Sequence, residues 1–358
     1  MSVTLNILDI TTRPALQGLG KDQLKKLVQA HNEPSFRATQ LFTAIYGRRI
    51  ESFEAITDLP KALREKLAAE YRISPVTIAQ VFTSTDGTRR YLFDVDGSQQ
   101  IESVWIPEEH RDTICISSQA GCPLACDFCM TGVIGLKRNL SAGEIVGQVI
   151  AVLNQVYGAG VEPKHGVNIV LMGMGEPMLN YDAVMAAVRL LADPDGLGIS
   201  QRRITLSTAG VLPGIYDLAK ESVRPELAIS LAAPNDKLRD KLIPINKKYP
   251  IADLIQACKL YPLRDRERIT FEYVMLDGVN DSVLHARQLA NLIKGLEIRV
   301  NLIPHNPTPE LHYQPSPMPR ILEFQAALAE KNIRSFIRRP RGRDINAACG
   351  QLAARKGA

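Results

Sequence analysis

The sequence predicts an α/β protein: a parallel sheet, open or curled into a partial (β/α)6 barrel, preceded by a helical module and a small β-meander. Three observations carry this. Residues 1 to about 75 show helical spacing, residues 76 to about 110 hold short β-rich stretches parted by Asp-Gly pairs, and from about 111 onward strand, loop and helix alternate six times. Alternation of that kind is the pattern of a parallel sheet with crossover helices.

In the first segment, residues 21–28 have an apolar stripe at helical spacing, Pro34-Ser35-Phe36-Arg37 starts a second helix, and Leu59-Pro60 opens a third. In the second, 76–81, 90–95 and 100–106 are rich in β-branched and aromatic residues, with Asp86-Gly87 and Asp96-Gly97 as tight turns between them. The third segment, 111–358, places strands at 113–117, 167–172, 203–207, 226–231, 269–276 and 298–304. The helix at 142–157 aligns Ile145, Val149, Val152, Leu153 and Val156 on one stripe, behind a capping box of Ser141 and Glu144. Another, 282–294, stops at Gly295. The proline-rich stretch from 304 to 319 reads as a loop leading into a final helix. In such folds chemistry sits at the C-terminal ends of the strands.

At 358 residues the chain has room for one large α/β domain and a small accessory domain, and 45% hydrophobic with 23% charged residues is ordinary for a globular protein. Residues 1–9 lack a basic start followed by an apolar stretch, and no apolar run approaches the roughly 20 residues that span a bilayer. A cytoplasmic address and no membrane partner are expected. The net charge of +5 is mild, but Arg334, Arg338, Arg339, Arg341 and Arg343 crowd one segment, with pairs at Arg202–Arg203 and Lys247–Lys248. Such clusters suit phosphate contacts; each taken alone also reads as a solvated basic face.

Four of the six cysteines, Cys115, Cys122, Cys126 and Cys129, fall within fifteen residues. In a cytoplasmic chain that points to metal binding or catalysis rather than a disulfide framework. Gly121-Cys122-Pro123-Leu124-Ala125-Cys126-Asp127-Phe128-Cys129 puts three thiols on a loop after the first parallel strand, able to wrap one metal centre. Structural zinc closes its tetrahedron with a fourth Cys or His, and His110 and His165 stand outside any finger spacing. A 4Fe–4S cluster is held by thiolates, and three of them leave one iron open.

Set in a (β/α) repeat, this spacing resembles the radical S-adenosylmethionine (SAM) superfamily. The resemblance implies that the open iron chelates SAM and that an electron from the cluster cleaves it to a 5′-deoxyadenosyl radical. Gly173-Met174-Gly175-Glu176-Pro177 after the second strand is a glycine turn with an acidic cap, and it is similar to the superfamily loop that contacts the amino group of SAM.

Two outer cysteines narrow the resemblance. Cys115 lies on the strand entering the cysteine loop, and Cys349 sits in Arg341-Gly342-Arg343-Asp344-Ile345-Asn346-Ala347-Ala348-Cys349-Gly350. Either could be an ordinary core or tail cysteine, as Cys258 is in its amphipathic helix. The pair, however, resembles the RlmN family of adenine-C2 RNA methyltransferases. The likeness spans almost the whole chain, through Phe36–Phe42, 117–119, 138–140, 173–180, 233–236, 244–248 and 273–280 to Cys349.

That resemblance implies that Cys349 takes a methyl group from one SAM and a second SAM supplies the radical that activates it for addition to C2. Cys115 then resolves the protein–RNA tether through a transient disulfide. It also implies that Gly175, Glu176, Ser207, Ser230, Leu231, Ala232 and Asn306 contact the cofactor. Glu102 matches the family's proton acceptor, although the sequence alone reads it as an exposed strand carboxylate. The implied partners are 23S ribosomal RNA, a transfer-RNA adenosine in some members, and an external electron donor; a monomer is expected. The Cfr-type adenine-C8 enzymes share both cysteines, but Gly175–Asp182 with its Pro177 looks like the C2 group. One departure is Ala232, where the C2 family commonly has histidine. The helical module, with Arg37, Lys61, Arg64 and Lys66, and the arginine-rich segment are expected to flank the barrel mouth. A sulfur-inserting radical enzyme and a zinc-stabilised RNA-binding protein are the competing readings.

Overall fold

Three helices form first: α1 (Lys21–Ala30), α2 (Phe36–Phe42, running on into a π-helical turn) and α3 (Lys61–Glu70). Leu24, Val28, Ala38, Leu41, Phe42, Leu63 and Leu67 are their buried residues, and the pairs 24/28, 38/41, 38/42 and 63/67 have the three- or four-residue spacing a core-facing stripe requires. Hydrogen bonds from Leu16 N to Arg72 O and from Gln17 N to Ile73 O close this module on itself, each at 2.9 Å. The computed structural model describes residues 13–96 and 98–354. The opening segment read above for a leader, and Gly97 of the second predicted turn, lie outside them.

The strands follow as β1 (Thr77–Thr83), β2 (Arg89–Val95), β3 (Gln99–Pro107) and β4 (Asp112–Cys115), with a two-residue ribbon of β5 (Gln119–Ala120) and β6 (Arg138–Asn139) around the short α4 (Met130–Ile134). Helix α5 (Ala142–Tyr157) carries the predicted capping box: Ser141 Oγ accepts from Glu144 N at 3.2 Å and Glu144 Oε2 accepts from Ser141 N at 2.8 Å. Gly143 meets the helical module here. A Cβ on it would lie 2.1 Å from Gln17 O, so glycine lets the two backbones touch.

Then come β7 (Val167–Leu171), α6 (Tyr181–Ala192), β8 (Ile204–Thr208), α7 (Leu212–Leu218), β9 (Glu226–Ser230), α8 (Asp236–Leu242) and α9 (Ile251–Leu260). The chain ends with β10 (Ile269–Met275), α10 (Val283–Leu292), β11 (Ile298–Pro304), α11 (Met318–Ala329) and β12 (Ser335–Ile337).

All but the ribbon strands join one ten-stranded sheet in the order β1-β2-β3-β4-β7-β8-β9-β10-β11-β12. The meander strands pair antiparallel, and β3 continues antiparallel onto β4, so the meander extends the sheet. From β4 to β12 every neighbour is parallel. Six parallel strands were expected; the additional one, β12, is only three residues long. Val104 and Ile106 of β3 share a cavity with Ile303 of β11 and Ile337 of β12. Strands far apart in the sheet order thus face one another, and the sheet curls into a partial barrel. No helix among the described residues is long and apolar enough to cross a membrane.

Candidate active site

The cysteine loop leaves β5 through Gly121, at φ +80°, where a Cβ would lie 1.8 Å from Gly135 O. Only glycine allows that approach. Cys129 N donates to Cys126 O at 3.1 Å, and Asp127 N ties the loop to Leu242 O at 3.1 Å. Cys122, Cys126 and Cys129 are half-buried free thiols on the wall of one cavity of about 160 Å³. Burial pushes Cys122 up to about 12, and burial with the neighbouring cysteines pushes Cys126 far up as well. Among the described residues no three metal-ligating side chains close around a point the size of one ion. Beneath the loop, fully buried Arg239 donates to Leu231 O at 3.0 Å and Asn246 Oδ1 at 2.8 Å; burial lowers its pKa to about 10.

The loop after β7 lies against the cysteine strand. A Cβ on Gly173 would stand 2.7 Å from Ile116 O, and one on Gly175 (φ +102°) 2.6 Å from Gln119 Cβ. These glycines are therefore required by protein backbone and side chain, not only by a ligand. Glu176 is buried in the same cavity: Oε2 accepts from Ala209 N at 2.8 Å and Oε1 from Met178 N at 3.1 Å. Burial raises its pKa to about 7 against those hydrogen bonds. Ser207 and Ser230 line the cavity with hydroxyls 3.4 Å apart.

Leu231 and Ala232 are not on the cavity wall. Leu231 N donates to Glu272 O at 3.0 Å, and Ala232, at φ +56°, accepts from Asn280 Nδ2 at 2.8 Å and packs in the apolar cluster that holds Leu124 of the cysteine loop. Asn306 is an anchor. Its Nδ2 donates to Cys349 O at 3.1 Å, while Oδ1 accepts from Arg343 Nε at 2.8 Å.

Cys349 is exposed. It lies on the wall of the cysteine cavity and of a second, wider one of about 920 Å³; Met172, Ile303, Asn306 and Arg338 are the other shared walls. The meander holds the loop that carries it. Asp344 accepts from Ser84 Oγ at 2.6 Å and Thr85 N at 3.1 Å, while Asp86 Oδ2 accepts from Arg341 Nε and Gly342 N, both at 3.0 Å. Cys115 lines the wide cavity, and burial, with Cys349 nearby, pushes it up to about 12.

Glu102 is not an exposed carboxylate. It is fully buried, ion-paired with buried Arg90, and its Oε2 accepts from Ala353 N at 2.9 Å, four residues past Cys349. Neither cavity is lined by it. Its strand, β3, is covered on both faces around it, which removes the alternation that marks a solvent face.

The small cavity lies at the C-terminal ends of the strands, and the wide one runs from their shared wall to the N-terminal ends. Leu171, Ser207, Thr208, Ser230 and Pro304, at the C-terminal ends of their strands, line the small one. Thr113, Asn168, Glu226 and Arg299, at the N-terminal ends, line the wide one, with Arg111, Arg202, Arg203, Arg339 and Arg341 at its edge. Arg37, Lys61, Arg64 and Lys66 line neither; their module packs on α5 instead.

A group with hydrogen-bonding edges fits the small cavity. Glu272 Oε2 and His305 Nε2 are buried there with no protein partner, and such atoms cost free energy until a ligand or water satisfies them. Burial, then the Arg343 charge, lowers the His305 pKa to about 4, so its imidazole is neutral.

Residues 116–290 match the radical SAM superfamily model, and residues 15–73 match the ribosomal RNA large subunit methyltransferase N-terminal domain. The dual-specificity RNA methyltransferase RlmN of Anaeromyxobacter sp. is 45% identical over 96% of this chain and 92% of its own length. The probable dual-specificity RNA methyltransferase RlmN of Koribacter versatilis is 48% identical over 89% and 96%. The crystal structure of a radical SAM methyltransferase from Sphaerobacter thermophilus superposes with a TM-score of 0.91 at 44% identity, covering 96% of this chain and all of that one.

Proposed function

The chain belongs to the RlmN family of radical SAM RNA methyltransferases, and we propose that it methylates C2 of an adenine in 23S ribosomal RNA and in transfer RNA, with Cys349 carrying the methyl group. The observation behind this reading is the position of Cys349 on the wall shared by the two cavities. Cys122, Cys126 and Cys129 would hold a 4Fe–4S cluster, and SAM bound there would supply both the methyl group and, in a second molecule, the hydrogen-abstracting radical. Glu176, Ser207 and Ser230 would position the cofactor, and Gly175 would shape that wall. Leu231 and Ala232 would support it from behind, and Asn306 would fix the Cys349 carbonyl.

Adenine C2 is an electron-poor carbon and a weak nucleophile toward a methyl sulfonium, whereas a thiolate is a good one. Cys349 therefore accepts the methyl group and presents its carbon to the base. The base flips out of the RNA and enters through the wide cavity, where Arg111, Arg202, Arg203, Arg299, Arg339 and Arg341 meet phosphates. Glu102 takes the C2 proton, a role that needs the segment after Cys349 to move off its carboxylate. The one electron left over from radical addition would return to the cluster that Cys122, Cys126 and Cys129 would hold. Cys115 then gives up its thiol proton and its sulfur bonds to Cys349 sulfur as the bond from Cys349 to the transferred carbon breaks, and that carbon takes a proton to become the methyl. The disulfide would be a passing state that an external thiol must reduce.

In this reading residues 1–75 are an RNA-binding accessory unit, 76–110 an extension that docks the Cys349 loop, and 111–358 the catalytic barrel. The enzyme works in the cytoplasm as a monomer with an external electron donor. Nucleoside mass spectrometry after anaerobic, reducing incubation with unmodified ribosomal and transfer RNA tests the proposal. New 2-methyladenosine is expected. Finding 8-methyladenosine would move the chain to the Cfr-type reaction, and no methylation from protein holding stoichiometric zinc and no iron would make it an RNA-binding protein.

A further inference from the structure

We propose that Arg338 is a positioning residue, a counter-cation shared by Cys349 and Cys115, and that it holds whichever sulfur must act as a thiolate. This rests on the reading that both thiols take part in methyl transfer.

Arg338 follows β12, and its main-chain N donates to Leu302 O at 2.9 Å, which extends the ladder and turns its side chain onto the shared wall of the two cavities. Its neighbours are tied down: Arg341 by Asp86, Arg343 by Asn306 and the His305 carbonyl, Arg90 by Glu102. Arg338 is held loosely. Its Nη1 stands 3.8 Å from Glu272 Oε1, beyond hydrogen-bond length, and 3.8 Å from Met172 Sδ. Glu272 Oε1 instead accepts from Asn301 Nδ2 at 2.9 Å. The guanidinium fork thus lines the wide cavity with donors to spare, on a wall that Cys115 and Cys349 also line.

Burial pushes both thiols up, and the Arg338 charge acts against that on each of them; Glu272 opposes it at Cys349. Both thiols stay above the ordinary value even beside this cation, so the guanidinium limits the penalty of ionisation rather than cancelling it, and without it either sulfur would form a thiolate less often and react more slowly. One guanidinium in the cavity that both line can serve first the sulfur that accepts the methyl group and later the sulfur that resolves the tether.

Iodoacetamide alkylation tests this in the full-length chain with Cys122, Cys126 and Cys129 changed to alanine, so that no cluster chemistry methylates Cys349 beforehand. In that reaction sulfur bonds to the acetamide carbon, iodide leaves and the thiol proton goes to buffer. Peptide mass spectrometry reads the rates at Cys349 and Cys115, with buried Cys258 as an unlabelled marker of the intact fold. Arg338→Met is expected to slow both by about tenfold or more, the lower end of what an adjacent opposite charge does to an ionisation, and Arg338→Lys to restore them to within about threefold. Unchanged rates with Met, or equal losses with Met and Lys, overturn the proposal. Glu272→Gln provides an arm that does not depend on how Arg338→Met folds. With the competing carboxylate gone, Cys349 should react about threefold faster, and an unchanged or slower rate counts against the proposal. Alkylation uses neither SAM nor RNA, so a chain that fails to methylate RNA but shows this pattern loses the functional reading and keeps Arg338.

Discussion

Removing the Asp86 carboxylate should undock the loop that carries Cys349 while leaving the barrel intact. Asp86 Oδ2 accepts from Arg341 Nε and Gly342 N, both at 3.0 Å, and the Arg341 and Asp86 side chains are each 33% exposed. A charge-assisted hydrogen bond contributes about 1.5–3 kcal/mol, and partial exposure weakens the ionic share, so the pair is assigned about 2 kcal/mol. Asp344 stays bonded to Ser84 and Thr85, which keeps the loss local. By the Boltzmann relation, 2 kcal/mol is about a 30-fold change in the docked-to-undocked ratio. In Asp86→Ala, hydrogen exchange of residues 342–349 should accelerate by about that factor, with β7 to β11 unchanged. Asp86→Asn, which keeps an acceptor but not the charge, should give about a third of the effect in free energy. Unchanged exchange at 342–349, or equal acceleration in the core strands, would refute the anchoring role.

Other expectations follow from the same geometry. Burial pushes the Asp86 carboxyl up, but hydrogen bonds from Thr88, Gly342 and Ser84 more than offset this and hold it below the ordinary carboxylate range. A depressed acid stabilises the folded state above its unfolded pKa and loses that contribution as pH falls through the folded value; the loop should resist acid protease cleavage at pH 5 and yield below about pH 4, and a loss that began near neutrality would contradict this. Gly121→Ala, with its Cβ 1.8 Å from Gly135 O, should cost about 2–4 kcal/mol in melting experiments and bind well under half the iron of the unaltered protein. Normal iron content would mean that the loop has another shape. Arg203→Ala and Arg299→Ala, at the N-terminal edge of the wide cavity, should each weaken RNA binding across sequences and lower the salt slope by about one; an unchanged slope would put the RNA elsewhere.

Much of this arrangement was legible because it is local. The spacing of Cys122, Cys126 and Cys129, the Ser141–Glu144 box and the strand–helix alternation are each written within a few residues, and the box and the alternation formed where expected. What was not legible depends on pairing between distant segments. The meander reads as hairpins, and nothing local says that β3 will continue onto β4 and make it part of the main sheet. Glu102 reads as exposed because a charged residue in a strand usually faces water, yet Arg90 and the tail at Ala353 enclose it. Three residues beside a run of arginines hid β12. The arginines of the wide cavity come from the ends of different strands, so no window of sequence gathers them. Arg338 was noticed only as part of a basic run, and its place in a cavity that two thiols also line appears once the barrel is curled.

Methylation by this route requires one carbon to pass through the sulfur of Cys349. The most direct measurement is to incubate the Cys115→Ala protein with SAM, reductant and unmodified RNA, then digest the RNA and the protein and map any nucleotide still attached. The expected result is an adenosine joined through a single carbon to the peptide that contains Cys349, accumulating because nothing resolves it. Full turnover with no attached nucleotide, or attachment at any other side chain, would contradict it.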